Sequence, residues 1–334
     1  MAAILGVSGT ELTPNEIGFL REVDPFGFIL FARNIETPDQ VRSLTESLRA
    51  TVDRTDAPVL IDQEGGRVQR LRPPHWPVRS PAEVFGSLYG RDPLKARAAV
   101  TLQARLIAHD LRQLGIDTDC LPVLDVRQQG AHDIIGDRAF SEDPEVVGPL
   151  GQAVVAGLLS GGVYPVIKHI PGHGRSHADS HKDLPVVDTD LDTLTGHDIP
   201  PFQVLADAPF AMTAHIVYSA IDPTQPATLS AKVIDEVIRG VCGFQGLLMT
   251  DDLSMKALDR LTMEERTRRS LAAGCDLVLH CNGDMDEMKE VVHAARPLDL
   301  MGMQRWHRAK GQLGTPDPAY DPRIDEETLA EYLS

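Results

Sequence analysis

The sequence predicts a single-domain (β/α)8 barrel spanning residues 1–334. Three observations carry this expectation. Short apolar runs alternate with longer segments of helical spacing. Several runs are apolar without interruption, as strands of a parallel sheet are when helices cover them. Asp62, Asp125, Lys168-His169, His215, Asp251-Asp252 and Asn282 stand at the C-terminal ends of runs. In a barrel such ends converge on one mouth, where active sites lie. A doubly wound open sheet also fits the alternation, but it would spread these polar residues along an edge.

The expected strands are Ile4–Val7, Phe28–Phe31, Val59–Asp62, Leu121–Val126, Tyr164–His169, Phe210–His215, Leu247–Asp251 and Leu277–Cys281. Between them, Thr37-Pro38 reads as an N-cap followed by a proline in the first helical turn, opening a helix to about Ala50. Lys95 to Leu114 has helical spacing and ends at Gly115, a candidate C-cap. Val146 to Leu159 runs into Ser160-Gly161-Gly162. Ser230 is placed to cap a segment to Arg239, and Met263 to Ala273 precedes Gly274. No internal repeat, low-complexity tract or linker divides the chain. The Pro- and acid-rich tail from about Leu313 is expected to lie extended on the surface.

Composition narrows the function. The chain carries 32 Lys and Arg against 49 Asp and Glu, a formal net charge of −17. That balance argues against nucleic acid as a partner, because a phosphate backbone needs a basic face. A hydrophobic content of 42% is that of a globular protein and excludes general disorder. No stretch approaches the roughly 20 apolar residues of a spanning helix, so no membrane partner is expected. The N-terminus lacks a basic region and a long apolar run, and reads as a first strand. Cys120, Cys242, Cys275 and Cys281 form no C-x-x-C pair and read as free thiols of a cytoplasmic protein.

Three clusters carry chemistry. In the first, Asp62-Gln63-Glu64-Gly65-Gly66-Arg67-Val68-Gln69-Arg70, the glycine pair permits a tight turn directly after a strand. Asp62 and Arg70 can then both reach the mouth, or serve as a cap and a surface arginine. The second cluster, Lys168 to His181, holds His169, His173, His177 and His181, each four residues from the next. On a helix that spacing stacks imidazoles on one face, where two can bind zinc. Pro171, Gly172 and Gly174 oppose a regular helix and favour a loop with special backbone angles. The same segment offers a second chemistry. Asp179, two residues from His181, can hold the imidazole's tautomer and stabilise its imidazolium, making His181 a general acid/base. In the third cluster, Asp251 and Asp252 end an apolar strand. Neighbours on a strand point to opposite sides, so one can face a substrate while the other braces a loop or caps a helix. A strand-end Asp with a distant proton donor is the minimal equipment of a retaining glycosidase. Arg138, after the strand ending near Val126, is placed to clamp a polar ligand. His215 reads as a hydrogen-bonded barrel histidine.

Four segments together resemble the motifs of bacterial β-N-acetylhexosaminidases of glycoside hydrolase family 3, in the family's order. They are Asp62-Gln63-Glu64-Gly65-Gly66-Arg67-Val68, Lys168-His169-x-Pro171-Gly172-His173-Gly174, Asp179-Ser180-His181 and Asp251-Asp252-Leu253-Ser254-Met255. The resemblance implies Asp251 as nucleophile, His181 as acid/base and Asp179 as its dyad partner. It implies Asp62, Arg70, Arg138, Lys168 and His169 as the residues that hold the sugar's hydroxyl and acetamido groups. Ile170 departs from the pattern, standing where an aromatic residue is usual, and His177 lies in a stretch that varies. By resemblance to the cytoplasmic Gram-negative branch, the expected substrate is a small carbohydrate. It is an N-acetylglucosaminyl muropeptide, shortened during cell-wall recycling by a monomer needing neither metal nor cofactor.

Overall fold

The computed structural model describes residues 1–176, 180 and 184–334. Eight parallel strands close into a barrel: β1 (Ala3–Gly6), β2 (Gly27–Leu30), β3 (Val59–Ile61), β4 (Thr118–Asp119), β5 (Tyr164–Ile170), β6 (Phe210–Thr213), β7 (Leu247–Asp252) and β8 (Leu277–His280). Each pairs with the next in sequence, and β8 closes on β1 with Ala3 opposite Val278. The closed sheet has no free edge. The open-sheet alternative is excluded. β1, β2 and β3 are buried along their whole lengths, as continuous apolar runs require.

Helices surround the barrel, and their starts repeat one local device. α1 (Pro14–Val23), α2 (Pro38–Thr51), α4 (Pro93–Arg112) and α5 (Pro144–Ser160) each follow a Thr-Pro or Asp-Pro pair. α3 (Ala82–Tyr89) lies between α2 and α4. The Thr or Asp side chain accepts a backbone N–H of the first turn, as Thr37 does from Gln40 at 3.3 Å. Proline fills a position whose N–H has no partner inside the helix. α6 (Val233–Val241) is preceded by Ser230, whose hydroxyl accepts from the Val233 N–H at 3.2 Å. α7 (Met263–Ala273) opens on the Thr262/Glu265 capping box and stops at Gly274 with φ +117°. α8 (Met285–Ala294) and α9 (Leu300–Gln312) complete the ring. Trp306 of α9 closes the base of the barrel. Its ring centroid lies 5.2 Å from that of Phe26, 5.5 Å from Tyr164 and 6.0 Å from Phe210, residues just before or at the starts of β2, β5 and β6.

Two sequence expectations need correction. The fourth strand is Thr118–Asp119, not Leu121–Val126. Pro122 has no N–H to give a sheet ladder. The run beyond it still follows β5 through irregular hydrogen bonds, such as Leu124 N–H to the Lys168 carbonyl at 2.7 Å. The C-terminal tail is not extended throughout. From Pro322 it forms α10 (Pro322–Leu333), which packs on α4 and buries Leu329. Arg79 donates to Glu326 at 2.7 Å, and Tyr320 to Asp325 at 2.9 Å. Among the described residues, no helix is long and apolar enough to cross a membrane.

Candidate active site

Strand ends at the C-terminal mouth surround a pocket of about 330 Å³. Ile29, Met212 and Leu279, from β2, β6 and β8, give it an apolar floor. The polar wall is built on a short hairpin after β3. Its two arms, Gln63–Gly65 and Val68–Gln69, pair antiparallel. Gly65 and Gly66 make the turn at φ +94° and +55°. A Cβ on either would also meet the segment Arg79–Pro81. The hairpin brings Arg70 back to Asp62, Nη2 to Oδ2 at 2.9 Å. The Arg70 guanidinium also lies 5.1 Å from the centre of the Phe31 ring, another pocket residue.

Lys168, near the end of β5, sits at the centre of the network. Its ammonium lies 2.9 Å from Asp62 Oδ1 and 2.6 Å from Glu64 Oε1. Arg138 grips Glu64 with two parallel bonds, Nε to Oε2 and Nη2 to Oε1, both 2.8 Å. Three cations and two carboxylates thus interlock, and the Lys168 and Glu64 side chains are 3% and 4% exposed. Burial opposes the charges of Asp62, Glu64, Lys168 and Arg138, but their partners prevail. Lys168 and Arg70 hold Asp62 well below the usual carboxylate range. Arg138 and Lys168 do the same for Glu64. In return Lys168 and Arg138 are held protonated more firmly than usual. The wall is fully ionised at neutral pH, and charge-assisted donors of this kind orient hydroxyl and carbonyl groups strongly.

His169 lines the same pocket from the end of β5. Its Nδ1 lies 2.6 Å from Asp125 Oδ2, while Asp125 Oδ1 accepts the backbone N–H groups of His169 and His173. Burial disfavours the Asp125 charge, yet His169 and these donors lower its pKa to about 2. The β5 loop is pressed close to the chain after β4. A Cβ on Gly174 would fall on the Val126 carbonyl oxygen.

Both adjacent acids of β7, Asp251 and Asp252, line the pocket. Asp252 also braces the loop, with Oδ1 accepting from Ser254 N at 3.0 Å and Cys281 N at 3.1 Å. Asp251 Oδ1 accepts from the Asp252 N–H at 2.8 Å. His215 is wholly buried beneath them, with Nε2 3.0 Å from the Asp252 carbonyl and Nδ1 2.7 Å from the Thr228 hydroxyl. Burial lowers its pKa, so it is a neutral structural donor to the Asp252 backbone.

The structure therefore brings Asp62, Arg70, Arg138, Lys168, His169 and Asp251 to one pocket. Asp179, His181 and His177 lie outside the described residues. Among the described residues, no group of three or more His, Cys, Asp or Glu side chains is arranged to hold a metal.

Residues 20–310 match the model of the glycosyl hydrolase family 3 N-terminal domain. The chain belongs to glycosyl hydrolase family 3. A β-hexosaminidase of Alkalilimnicola ehrlichii is 42% identical over 345 residues, covering 96% of this chain and 98% of that one. NagZ from Neisseria gonorrhoeae, solved with N-trifluoroacetyl-D-glucosamine, superposes with a TM-score of 0.88. It shares 30% identity over 100% of this chain and 98% of that one. A second structure of that protein, solved with a zinc ion, has a TM-score of 0.86. This family 3 chain is a glycoside hydrolase of the β-hexosaminidase kind.

Sequence reasoning missed two members of this family 3 pocket network. Glu64 carries no role in the sequence motif, yet Asp62 and Glu64 are two residues apart on an extended segment and so share a face. Asp125 reads in sequence only as a polar strand end. Its function as the acceptor for His169 and His173 needed the fold, because 44 and 48 residues separate the partners.

Proposed function

We propose that this protein is a retaining exo-β-N-acetylglucosaminidase. The observation that carries the reading is the position of Asp251, at the end of β7, in the same pocket as the Asp62–Lys168–Glu64–Arg138 network. The network fixes a sugar through its hydroxyl and acetamido groups, with Arg70 and His169 adding donor and acceptor. Asp251 attacks the anomeric carbon and forms a glycosyl-enzyme. His181, oriented by Asp179, protonates the leaving oxygen, then takes a proton from the water that releases the sugar. A pocket sunk into a barrel mouth receives the end of a glycan, which fits exo action. The relative solved with an N-acylglucosamine supports glucosamine chemistry. The proposed substrate is the terminal N-acetylglucosamine of muropeptides, and the proposed setting is a cytoplasmic monomer without metal or cofactor.

The test is trapping with a 2-deoxy-2-fluoro glycoside, followed by mass spectrometry of the digested protein. A glycosyl adduct on the peptide containing Asp251 is expected. An unlabelled enzyme that still turns over an aryl N-acetylglucosaminide would transfer the attack to the substrate's own acetamido group. Asp251 would then become its stabiliser.

A further inference from the structure

His173 has no part in the proposed sugar contacts. Its side chain is buried and does not line the pocket. The backbone on both sides of it is anchored, with its N–H on Asp125 Oδ1 at 2.6 Å and its carbonyl accepting from Ser176 N at 3.1 Å. The ring Nε2 stands 3.2 Å from Ser180 Oγ, while Nδ1 finds no partner among the described residues. Burial, reinforced by the neighbouring His169, lowers the His173 pKa to about 4, so the ring is neutral at neutral pH. A neutral imidazole has one N–H. On Nε2 it donates to Ser180 and leaves only a lone pair at Nδ1, whereas the other tautomer would bury an orphaned N–H.

Ser180 is 3% exposed despite its polar surroundings in sequence. Its carbonyl accepts from the Ala257 N–H at 3.2 Å. Ala257 belongs to the loop after β7, six residues beyond Asp251. Ser180 thus ties the loop after β5 both to that loop's own anchored base and to the loop that follows Asp251. In sequence it stands between Asp179 and His181.

The geometry points to His173 and Ser180 as positioning residues. Their Nε2–Oγ hydrogen bond, together with the Ala257 tether, holds Ser180 in place, and Ser180 is the chain neighbour of both proposed dyad residues. This inference rests on the dyad reading above. Proton transfer demands approach to hydrogen-bond distance, and small misplacements of a reacting group cost up to about a hundredfold in rate. The cost falls on substrates whose leaving group must be protonated and spares those that depart as stable anions.

The experiment compares the parent enzyme, Ser180→Ala, Ser180→Thr, His173→Asn and His181→Ala on two β-N-acetylglucosaminides. One carries a dinitrophenyl leaving group and the other an alkyl leaving group. For Ser180→Ala and His173→Asn, kcat/KM, which reports the step that expels the leaving group, is expected to fall about thirtyfold on the alkyl glycoside and about threefold or less on the dinitrophenyl glycoside. Ser180→Thr, which keeps the hydroxyl, restores most of the loss. Equal losses on both substrates, or none, overturn the positioning role. If Ser180→Ala does not fold, Ser180→Cys keeps the volume, weakens the bond and decides the same question. His181→Ala separates the two claims. If it shows no dependence on leaving group, the dyad reading itself fails. If it shows a strong dependence while Ser180→Ala shows none, only the positioning role fails.

Discussion

Glu64→Gln removes one carboxylate charge from a buried cluster without changing its shape. Glu64 faces Lys168 at 2.6 Å and Arg138 at 2.8 Å, and the three side chains are 4%, 3% and 11% exposed. Three cations would then face Asp62 alone. Breaking a buried pair by removing one partner costs about 3–5 kcal/mol, because the remaining charge stays desolvated. Glutamine keeps a carbonyl acceptor, so the lower end, about 3 kcal/mol, is expected. Unfolding entropy of about 2.1 cal/mol/K per residue amounts to about 0.7 kcal/mol/K for this chain, which converts the loss to a drop in Tm of about 4 °C. The exposed pair Lys289–Asp286, 60% and 91% exposed, provides the control. Asp286→Asn should move Tm by less than about 1 °C. Differential scanning calorimetry reads both variants. Kinetics on an aryl N-acetylglucosaminide should show KM raised about tenfold in Glu64→Gln, since Lys168 and Arg138 lose the group that aims them. A Glu64→Gln enzyme melting within 1 °C of the parent with unchanged KM would refute the argument that this network is a buried, mutually supporting unit.

His173 gives a pH prediction. Its pKa falls from 6.5 to about 4 on folding, so the unfolded chain binds a proton that the folded one refuses. Stability should decline as pH falls from about 6.5 to about 4 and then stop declining on this account. The decline is on the order of 3 kcal/mol, with buried His215 acting in the same direction. Urea titrations of the parent and His173→Asn should show a shallower slope in the variant over that window, and parallel slopes would count against it. Truncation after Gln312 removes α10 and Tyr320, and with them Glu326, a partner of Arg79. It should lower Tm by several degrees yet leave kcat on an aryl substrate unchanged, because α10 packs on α4 and not at the mouth. A fall in kcat at a temperature where the truncated chain is folded would show that the tail reaches the site. Chelator treatment should leave turnover undiminished. Activity that disappears and returns with zinc would mean that the histidine run holds a metal and that the dyad assignment is wrong.

Much of this protein was determined by local sequence. The alternation of apolar runs with helical segments, and the polar residues ending those runs, specified the barrel and its mouth, because burial on both strand faces leaves no polar alternation to mask the signal. The start of α2 was equally legible, since Thr37-Pro38 acts within four residues of itself. Gly65-Gly66 announced the turn that returns Arg70 to Asp62. Other features depend on partners distant in the chain and were decided by tertiary structure. Pro122 displaced the fourth strand to Thr118–Asp119, although the more apolar run lies after it. The tail formed α10 because α4 offers a surface for Leu329 and Arg79 a partner for Glu326, neither visible from residues 313–334. The charge balance of the pocket is the clearest case. Asp62, Arg138 and Lys168 read in sequence as candidate sugar contacts, but nothing local joins them and Glu64 into one ion-pair network. Closing the barrel buries them against one another, and only there does each charge depend on the others.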